Sequence, residues 1–375
     1  MIQLGTPSFA KSRMLIGLIA FCLSCFGSQV ILAQTPDSAF DKDPWPASKD
    51  GPVKVFILAG QSNMQGHASL RTLEYLIYNS ETAQEYQHWK DKDGLWTQRN
   101  DVWVWTTDGP RFGSLKPGFG AREFKIGPEL GFGWVVGEAF DEQILLIKTC
   151  WGGRSVRRDF LSPSSPQPDA EQLQADLERM RRRTPTATLE DVQQSYGKDY
   201  RLMLEHVSDV LANADELFPG AGRPREYQLS GFVWFQGWND MVDREQREEK
   251  YQQYTTRLTT MIEDLRKDLS APNLPVVIGE LGANGNRGDF QAAQQAAAEA
   301  LDNAVFVPTV EFWDSETAEL AEREVWKTSD WSEYYNVGSD RGYHYLGSAK
   351  ILTKIGQALG TEMVELIKQT PQPSE

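Results

Sequence analysis

Short apolar runs alternate with amphipathic segments along most of the chain. Near-continuous apolar runs of four to eight residues are typical of strands buried on both faces of a parallel sheet. Such runs occur at 53–59, 102–105, 143–149, 229–235 and 275–280. Segments with helical spacing lie at 129–140, 199–217, 244–269 and 290–303, and another follows residue 344. This alternation predicts a three-layer α/β fold with a central, mostly parallel sheet.

The first 51 residues do not share this pattern. Lys11 and Arg13 precede an apolar stretch at 14–26, and Ala33 stands just before a polar segment. This layout is typical of a secretory signal peptide that is cleaved after Ala33. The apolar stretch is shorter than the roughly 20 residues that a membrane-spanning helix needs, and no later segment replaces it. We therefore expect an exported protein, periplasmic or secreted, with no membrane span.

The sequence predicts three parts: a signal peptide at 1–33, a flexible lead-in at 34–51 and a single domain at 52–370. Two inserts interrupt the regular alternation of that domain. The insert at 155–200 begins with several prolines and continues as a charged helical segment, which we expect to be a solvated face. The insert at about 68–127 carries rings that either line a sugar site or pack a satellite core. These are Trp89, Trp96, Trp103 and Trp105.

The cysteine content bears on disulfide bonds, and the net charge bears on the classes of partner. Cys22 and Cys25 would leave with the signal peptide, and the residues before them fit a lipidation motif poorly. Only Cys150 would remain, so no intramolecular disulfide can form, and we expect its side chain to be a small buried apolar group. The formal net charge is −15, which makes nucleic acids and anionic membrane surfaces poor partners.

A serine follows the first predicted strand, within Gly60-Gln61-Ser62-Asn63-Met64-Gln65-Gly66. At a strand-to-helix turn its hydroxyl would be exposed at the carboxyl edge of the sheet. Open α/β sheets bind ligands at this edge, and the helix N-terminus stabilises an anion there. A helix N-cap would explain a serine at this position, but it would not explain the rest of the string. We therefore predict that Ser62 is a nucleophile.

The string around Ser62 resembles the first motif of the SGNH hydrolases, in the form found in sialate O-acetylesterases and carbohydrate esterase family six. Three further motifs follow in the family order, at 148–155, 232–240 and 339–345, so the resemblance spans nearly the whole predicted domain. It implies a flavodoxin-like fold and a serine esterase that removes small acyl groups from carbohydrate. Such an enzyme needs no metal or other cofactor, and no Cys or His cluster with metal-ligand spacing is evident.

The second and third motifs imply an oxyanion hole. Glycine after a strand lets a substrate approach the backbone, and the backbone amides of Gly153, preferred to Gly152, and of Ser62 would face the oxyanion. The Asn239 side chain would be a further donor, with Gln236 as the alternative. Taken singly, a double glycine is usually a turn, and an Asn-Asp pair often caps a helix.

The fourth motif implies the base. Of the four histidines, His344 stands where the family keeps the group that takes the serine proton. Asp340 is the candidate for the acid that orients His344, although it precedes the histidine by four residues rather than the usual three. Relatives also commonly have a glutamate where this chain has Trp238. Asp330 and Glu333 are therefore kept as alternative acids.

These observations lead to an exported esterase that removes O-acetyl groups from an acetylated carbohydrate through an acetyl-enzyme intermediate. Two alternatives stay open. The missing glutamate and the unusual spacing of the aspartate favour a non-catalytic carbohydrate-binding protein on an esterase scaffold. The superfamily also includes lipases and thioesterases, and fold alone does not fix function.

Overall fold

The computed structural model describes residues 45–48, 51–107, 109, 111–218, 226–242 and 247–369. The predicted signal peptide at 1–33 and most of the lead-in at 34–51 lie outside the described residues. The described part contains nine strands in two sheets. They are β1 (Val53–Gly60), β2 (Ala68–Ser69), β3 (Arg99–Thr106), β4 (Arg111–Leu115), β5 (Lys125–Ile126), β6 (Ile144–Cys150), β7 (Tyr227–Phe235), β8 (Val276–Gly279) and β9 (Ala304–Val307).

The main sheet has seven strands in the order β4-β3-β6-β1-β7-β8-β9. Each neighbouring pair is parallel except β3 and β4, which are antiparallel. The predicted α/β fold with a mostly parallel central sheet is therefore confirmed. The remaining strands, β2 and β5, form a small antiparallel sheet in which Ala68 pairs with Ile126 and Ser69 with Lys125.

Helices connect the strands, and among the described ones none has the length and apolarity to cross a membrane. Short 3₁₀ turns lie at Gln87–Trp89, Ala283–Gly285, Val310–Phe312, Val325–Lys327 and His344–Gly347. The α-helices are α1 (Ser62–Gln65), α2 (Leu70–Tyr78), α3 (Ala83–Tyr86), α4 (Pro128–Ala139), α5 (Ala170–Arg181), α6 (Leu189–Ser195), α7 (Lys198–Ala212), α8 (Ala214–Leu217), α9 (Trp238–Met241), α10 (Arg247–Asp268), α11 (Asp289–Glu299), α12 (Ser315–Glu322), α13 (Trp331–Val337) and α14 (Ala349–Gln369).

The central strand β1 shows why the sheet is covered on both faces. All eight of its residues are buried, and successive side chains point to opposite faces. Val55 and Ile57 join a core with α7, α10 and α11, whereas Phe56 and Leu58 join a second core with α2, α4 and α14. Burial on both faces is the reason that the strand reads as an unbroken apolar run.

The structure differs from the sequence predictions in several places. Strands β2, β4, β5 and β9 were not predicted: β2 and β5 have only two residues each, β4 is a polar edge strand with a central glycine, and β9 is a short edge strand. The helix predicted at 199–217 ends at Ala212 and a separate turn, α8, follows Asn213. Within the 68–127 insert, the rings of Trp89, Trp103 and Trp105 are buried in the two cores, so they pack the fold instead of lining a sugar site.

A buried ion pair holds the turn after β1 in place. The ammonium of Lys148 on β6 lies 2.6 Å from the carboxylate of Glu129 on α4, and both side chains are 1% exposed. The same ammonium donates to the carbonyl oxygens of Gln65 (2.7 Å) and Phe119 (2.9 Å). Its three N–H groups are therefore all used. The other oxygen of Glu129 accepts from the N–H of Gly127 at 2.9 Å.

We expect Lys148→Met to lower the free energy of unfolding by about 3–5 kcal/mol, because it leaves the Glu129 carboxylate buried and uncompensated. The double variant Lys148→Met, Glu129→Leu should recover much of that loss. Urea denaturation measures both values. Lys327→Met is the matched control, since its 2.6 Å pair with Glu324 is exposed and should change stability by less than about 1 kcal/mol. A loss of similar size in Lys327→Met would contradict this account.

Candidate active site

The first residue of α1 is Ser62, which follows β1 at the carboxyl edge of the sheet. The turn between them is narrow, because Gly60 has φ +152° and an added Cβ would lie 2.2 Å from the carbonyl oxygen of Phe235 on β7. Only glycine fits this close approach of two backbones. The side chain of Gln61 strengthens the same junction by accepting a hydrogen bond from the N–H of Gly237 at 3.1 Å.

A cavity of about 410 Å³ lies at this edge and is lined by four of the predicted site residues, Ser62, Gly153, Asn239 and His344. They follow β1, β6 and β7 or precede α14, so three neighbouring strands and the C-terminal loop deliver them to one place. A larger cavity of about 720 Å³ elsewhere is lined by arginines such as Arg157, and no serine or histidine of the described residues lines it. The smaller cavity is therefore the better candidate for an active site.

His344 and Asp340 are directly hydrogen-bonded, with 2.6 Å between Nδ1 of the imidazole and Oδ2 of the carboxylate. A carboxylate can only accept, so Nδ1 carries the proton and Nε2 is left as the basic nitrogen. Burial by itself would raise the pKa of Asp340, but the hydrogen bond and the charge of His344 lower it overall. Asp340 is thus ionised and suited to orienting the ring. Asp330 and Glu333 are both exposed on the surface.

The loop that carries His344 has an unusual backbone. His344, Tyr345 and Leu346 have φ values of +49°, +54° and +61°, in the left-handed region that costs about 1–2 kcal/mol for each L-residue. Surrounding contacts hold them there, since the N–H groups of Ser339 and Asp340 both donate to the carbonyl of Leu346. This closed loop absorbs the extra residue between Asp340 and His344. Strain of this kind is found at functional sites.

The predicted oxyanion donors differ in their surroundings. The Asn239 amide donates to the carbonyl of Gly153 at 3.1 Å, which leaves its second N–H for another acceptor. The Gln236 amide donates to the carbonyl of Arg154 (2.8 Å) and to Asp240 (2.6 Å), so both of its N–H groups are used. Gln236 is buried and does not line the cavity. Of the two candidates, Asn239 is the one with a hydrogen left to donate.

Asp240, next to Asn239, anchors the loop after β6. Its buried carboxylate accepts from the N–H groups of Val156 (2.9 Å) and Arg157 (3.3 Å), as well as from Gln236. Burial raises the pKa of Asp240 against these hydrogen bonds. The aspartate thereby connects α9 to the segment that carries Gly153, and it fixes the distance between two of the predicted oxyanion donors.

Ser62 and His344 both line the cavity, and within the described part of the chain no hydrogen bond joins them directly. Catalytic hydrogen bonds are often long before substrate binds and shorten in the complex. Trp238, which stands where relatives have a glutamate, also lines the cavity, and its ring meets that of Tyr343 edge to face at 6.5 Å. Trp313 is a third aromatic ring in the lining.

Sequence reasoning missed His67, which lines the same cavity and whose ring stacks on that of His344 with centroids 4.1 Å apart. His67, Asp340 and His344 offer atoms within 4.8 Å of one another, as a metal site would. The ammonium of Lys125 lies 3.1 Å from Nδ1 of His67, however, and would repel a cation there. The arrangement therefore suits proton transfer better than metal binding. The only sequence signal was a histidine five residues after Ser62.

Comparison with known protein families gives a match over most of the chain. Residues 52–330 match the family described as "Carbohydrate esterase, sialic acid-specific acetylesterase". The resemblance seen in the sequence motifs is thereby confirmed. No curated protein matches the chain.

Several solved structures are similar. One is a protein from Arabidopsis thaliana, with 15% identity, a TM-score of 0.45 and coverage of 84% of this chain and 98% of that one. A carbohydrate acetylesterase from Xanthomonas citri has 15% identity and a TM-score of 0.41, with 70% and 51% covered. NanS has 14% identity and a TM-score of 0.39, with 69% and 79% covered.

The hydrogen bond from His344 makes Asp340 testable as the orienting acid. We expect Asp340→Asn to keep the fold and to reduce kcat/KM on a small acetyl ester by about 10³–10⁴-fold, because an amide can favour the wrong imidazole tautomer. Asp330→Asn is the matched control, since Asp330 is an exposed loop carboxylate. Nearly wild-type activity in Asp340→Asn, with an unchanged melting temperature, would remove Asp340 from this role.

Proposed function

The chain belongs to the carbohydrate esterase, sialic acid-specific acetylesterase family, and on that premise we propose that it removes O-acetyl groups from a carbohydrate. The proposal has Ser62 as nucleophile, His344 as base and Asp340 as the acid that orients His344. The single observation that supports it most is the 2.6 Å contact between Asp340 and His344 beside the cavity that Ser62 also lines.

In the proposed acylation step, Nε2 of His344 takes the proton from the Ser62 hydroxyl while Oγ of Ser62 attacks the ester carbonyl carbon. The carbonyl oxygen becomes an oxyanion, which accepts hydrogen bonds from the backbone amides of Ser62 and Gly153 and from the Asn239 side chain. Loss of one such donor elsewhere costs about 3 kcal/mol of transition-state stabilisation. The tetrahedral intermediate then collapses, and His344 returns the proton to the departing sugar hydroxyl.

The product of this step is an acetyl group esterified to Ser62. Water replaces the sugar hydroxyl in the second step, and His344 takes one of its protons as it attacks the acetyl carbonyl. Collapse releases acetate and returns the proton to Ser62. Each proton that leaves an oxygen passes through His344, so a fixed tautomer of that ring matters in both steps.

The lining of the cavity supports a carbohydrate substrate of low charge. Trp238, Trp313 and Tyr343 offer aromatic rings, and rings of this kind pack against the apolar faces of sugars. Among the described residues, no arginine or lysine lines this cavity. A sialic acid carries a carboxylate, which binding sites usually meet with a cationic partner. We therefore propose an acetylated neutral sugar as the preferred substrate.

We further propose that the protein is exported, to the periplasm or the medium. The support is the order of residue types in positions 1–33. Basic residues come before an apolar stretch, and a small residue, Ala33, stands at the end, as in a signal peptide. The mature N-terminus, measured by mass spectrometry on exported protein, should be Gln34. Retention of the whole precursor in the cytoplasm would contradict the proposal.

The function is tested by acetate release from acetylated xylan, from an O-acetylated sialic acid and from p-nitrophenyl acetate. We expect turnover of p-nitrophenyl acetate, a higher kcat/KM on the neutral polysaccharide than on the sialic acid, and a loss of at least about 10³-fold in Ser62→Ala. Ser208→Ala, an exposed serine on α7, is the matched control.

Other outcomes would favour the alternatives. Binding of acetylated sugar without any hydrolysis by the wild-type protein would identify a carbohydrate-binding protein on an esterase scaffold. Faster hydrolysis of long-chain than of acetyl esters would identify a lipase or thioesterase. A preference for the sialic acid would contradict the assignment of a neutral sugar, while leaving the esterase mechanism intact.

A further inference from the structure

The imidazole ring of His67 stacks face to face on the imidazole ring of His344. The two ring centroids are 4.1 Å apart and the ring planes differ by 15°, so the rings are nearly parallel. Such close stacking covers one face of the His344 ring and hinders any tilt toward that side. Ser62, His344 and His67 all line the same cavity.

The backbone around His67 is hydrogen-bonded to the loop that carries His344. The carbonyl of His67 lies 3.3 Å from Oγ of Ser339, which also donates to the carbonyl of Gly347 at 2.8 Å. The N–H of Ser69 donates to the same hydroxyl at 3.0 Å. One serine therefore connects the segment of His67 to both ends of the His344 loop, and the two stacked rings have a common support.

Lys125 determines the protonation of His67. An ammonium can only donate, so its 3.1 Å contact makes Nδ1 of His67 an acceptor and puts the ring proton on Nε2. Burial first, and then the charges of His344 and Lys125, lower the pKa of His67 to about 3. The ring is therefore neutral near pH 7. It therefore does not repel the imidazolium that forms on His344 during proton transfer.

Only one of the two histidines is hydrogen-bonded to Asp340. Oδ2 of Asp340 is 2.6 Å from Nδ1 of His344 but 3.9 Å from Nδ1 of His67. Because Nδ1 of His67 already accepts from Lys125, it has no proton to offer Asp340. The carboxylate is thus left to His344 alone, and His67 is poorly placed to act as a second base.

We propose that His67 is a positioning residue whose ring, stacked on that of His344, holds the base in the orientation needed for proton transfer with Ser62. This inference rests on the proposed esterase function of the same site. Its essential element is the flat ring, and not the ring nitrogens, because Nδ1 is occupied by Lys125 and Nε2 is buried without a partner in the described part of the chain.

The test compares His67→Ala, which removes the stacked ring, with His67→Phe, which restores a flat ring without nitrogens. We expect His67→Ala to lower kcat on p-nitrophenyl acetate by about 10- to 100-fold with KM changed less than about twofold, as for a misplaced catalytic group. His67→Phe should recover most of that loss. His88→Ala is the matched control, since His88 is also a partly buried histidine packed on rings, those of Trp89 and Trp134, away from the cavity.

A proton NMR spectrum supplies a readout that does not need turnover. The Nδ1 proton of His344, bonded to a carboxylate, should resonate far downfield in the wild-type protein and in His67→Phe, and should broaden or vanish in His67→Ala. Full activity and an intact resonance in His67→Ala would overturn the inference, and so would a His67→Phe variant as impaired as His67→Ala. If wild-type protein hydrolyses no ester while the resonance still depends on the ring at 67, the proposed function fails and the positioning role survives.

Discussion

The buried ammonium of Lys148 is the contact on which the arrangement of the candidate site depends. It joins β6 to α4 through Glu129 and holds the carbonyl of Gln65, the last residue of α1, at 2.7 Å. Ser62 begins the same short helix, which is only four residues long and could not keep its position by its own hydrogen bonds. A charged group used in this way must be fully paired, because any unpaired N–H would be costly in the core.

His344 is held by a different kind of constraint. Three successive residues from His344 to Leu346 have left-handed backbones, and hydrogen bonds across the loop keep them there. Tyr345 adds to this, because its hydroxyl accepts from the N–H of Gly282 at 2.9 Å and its ring is buried against Phe235. The helix of Ser62 is thus held through the buried Lys148 ion pair, and His344 is held by its left-handed loop. The two supports converge on one cavity.

The sequence predicted the fold, and four of the residues that line the candidate site, better than the contacts that hold them in place. Apolar runs indicated the central strands because a strand buried on both faces needs them, and the motif order led to Ser62 and His344. Strand β4 was missed because an edge strand needs no such run. The pairing of Lys148 with Glu129 and the stacking of His67 on His344 join residues far apart in the chain, and neither leaves a local pattern. The hydrogen bond between Asp340 and His344 was not evident from the sequence, since their spacing is one residue longer than usual.

The central claim is that ester hydrolysis passes through an acetyl group on Ser62. Rapid acid quenching of the protein during reaction with p-nitrophenyl acetate, followed by proteolysis and mass spectrometry, tests it directly. The account predicts one added acetyl group on the peptide that contains Ser62, formed as fast as the first turnover, and none in Ser62→Ala. Continued hydrolysis with Ser62 unmodified, or a kinetically competent acetyl group on another residue, would contradict it.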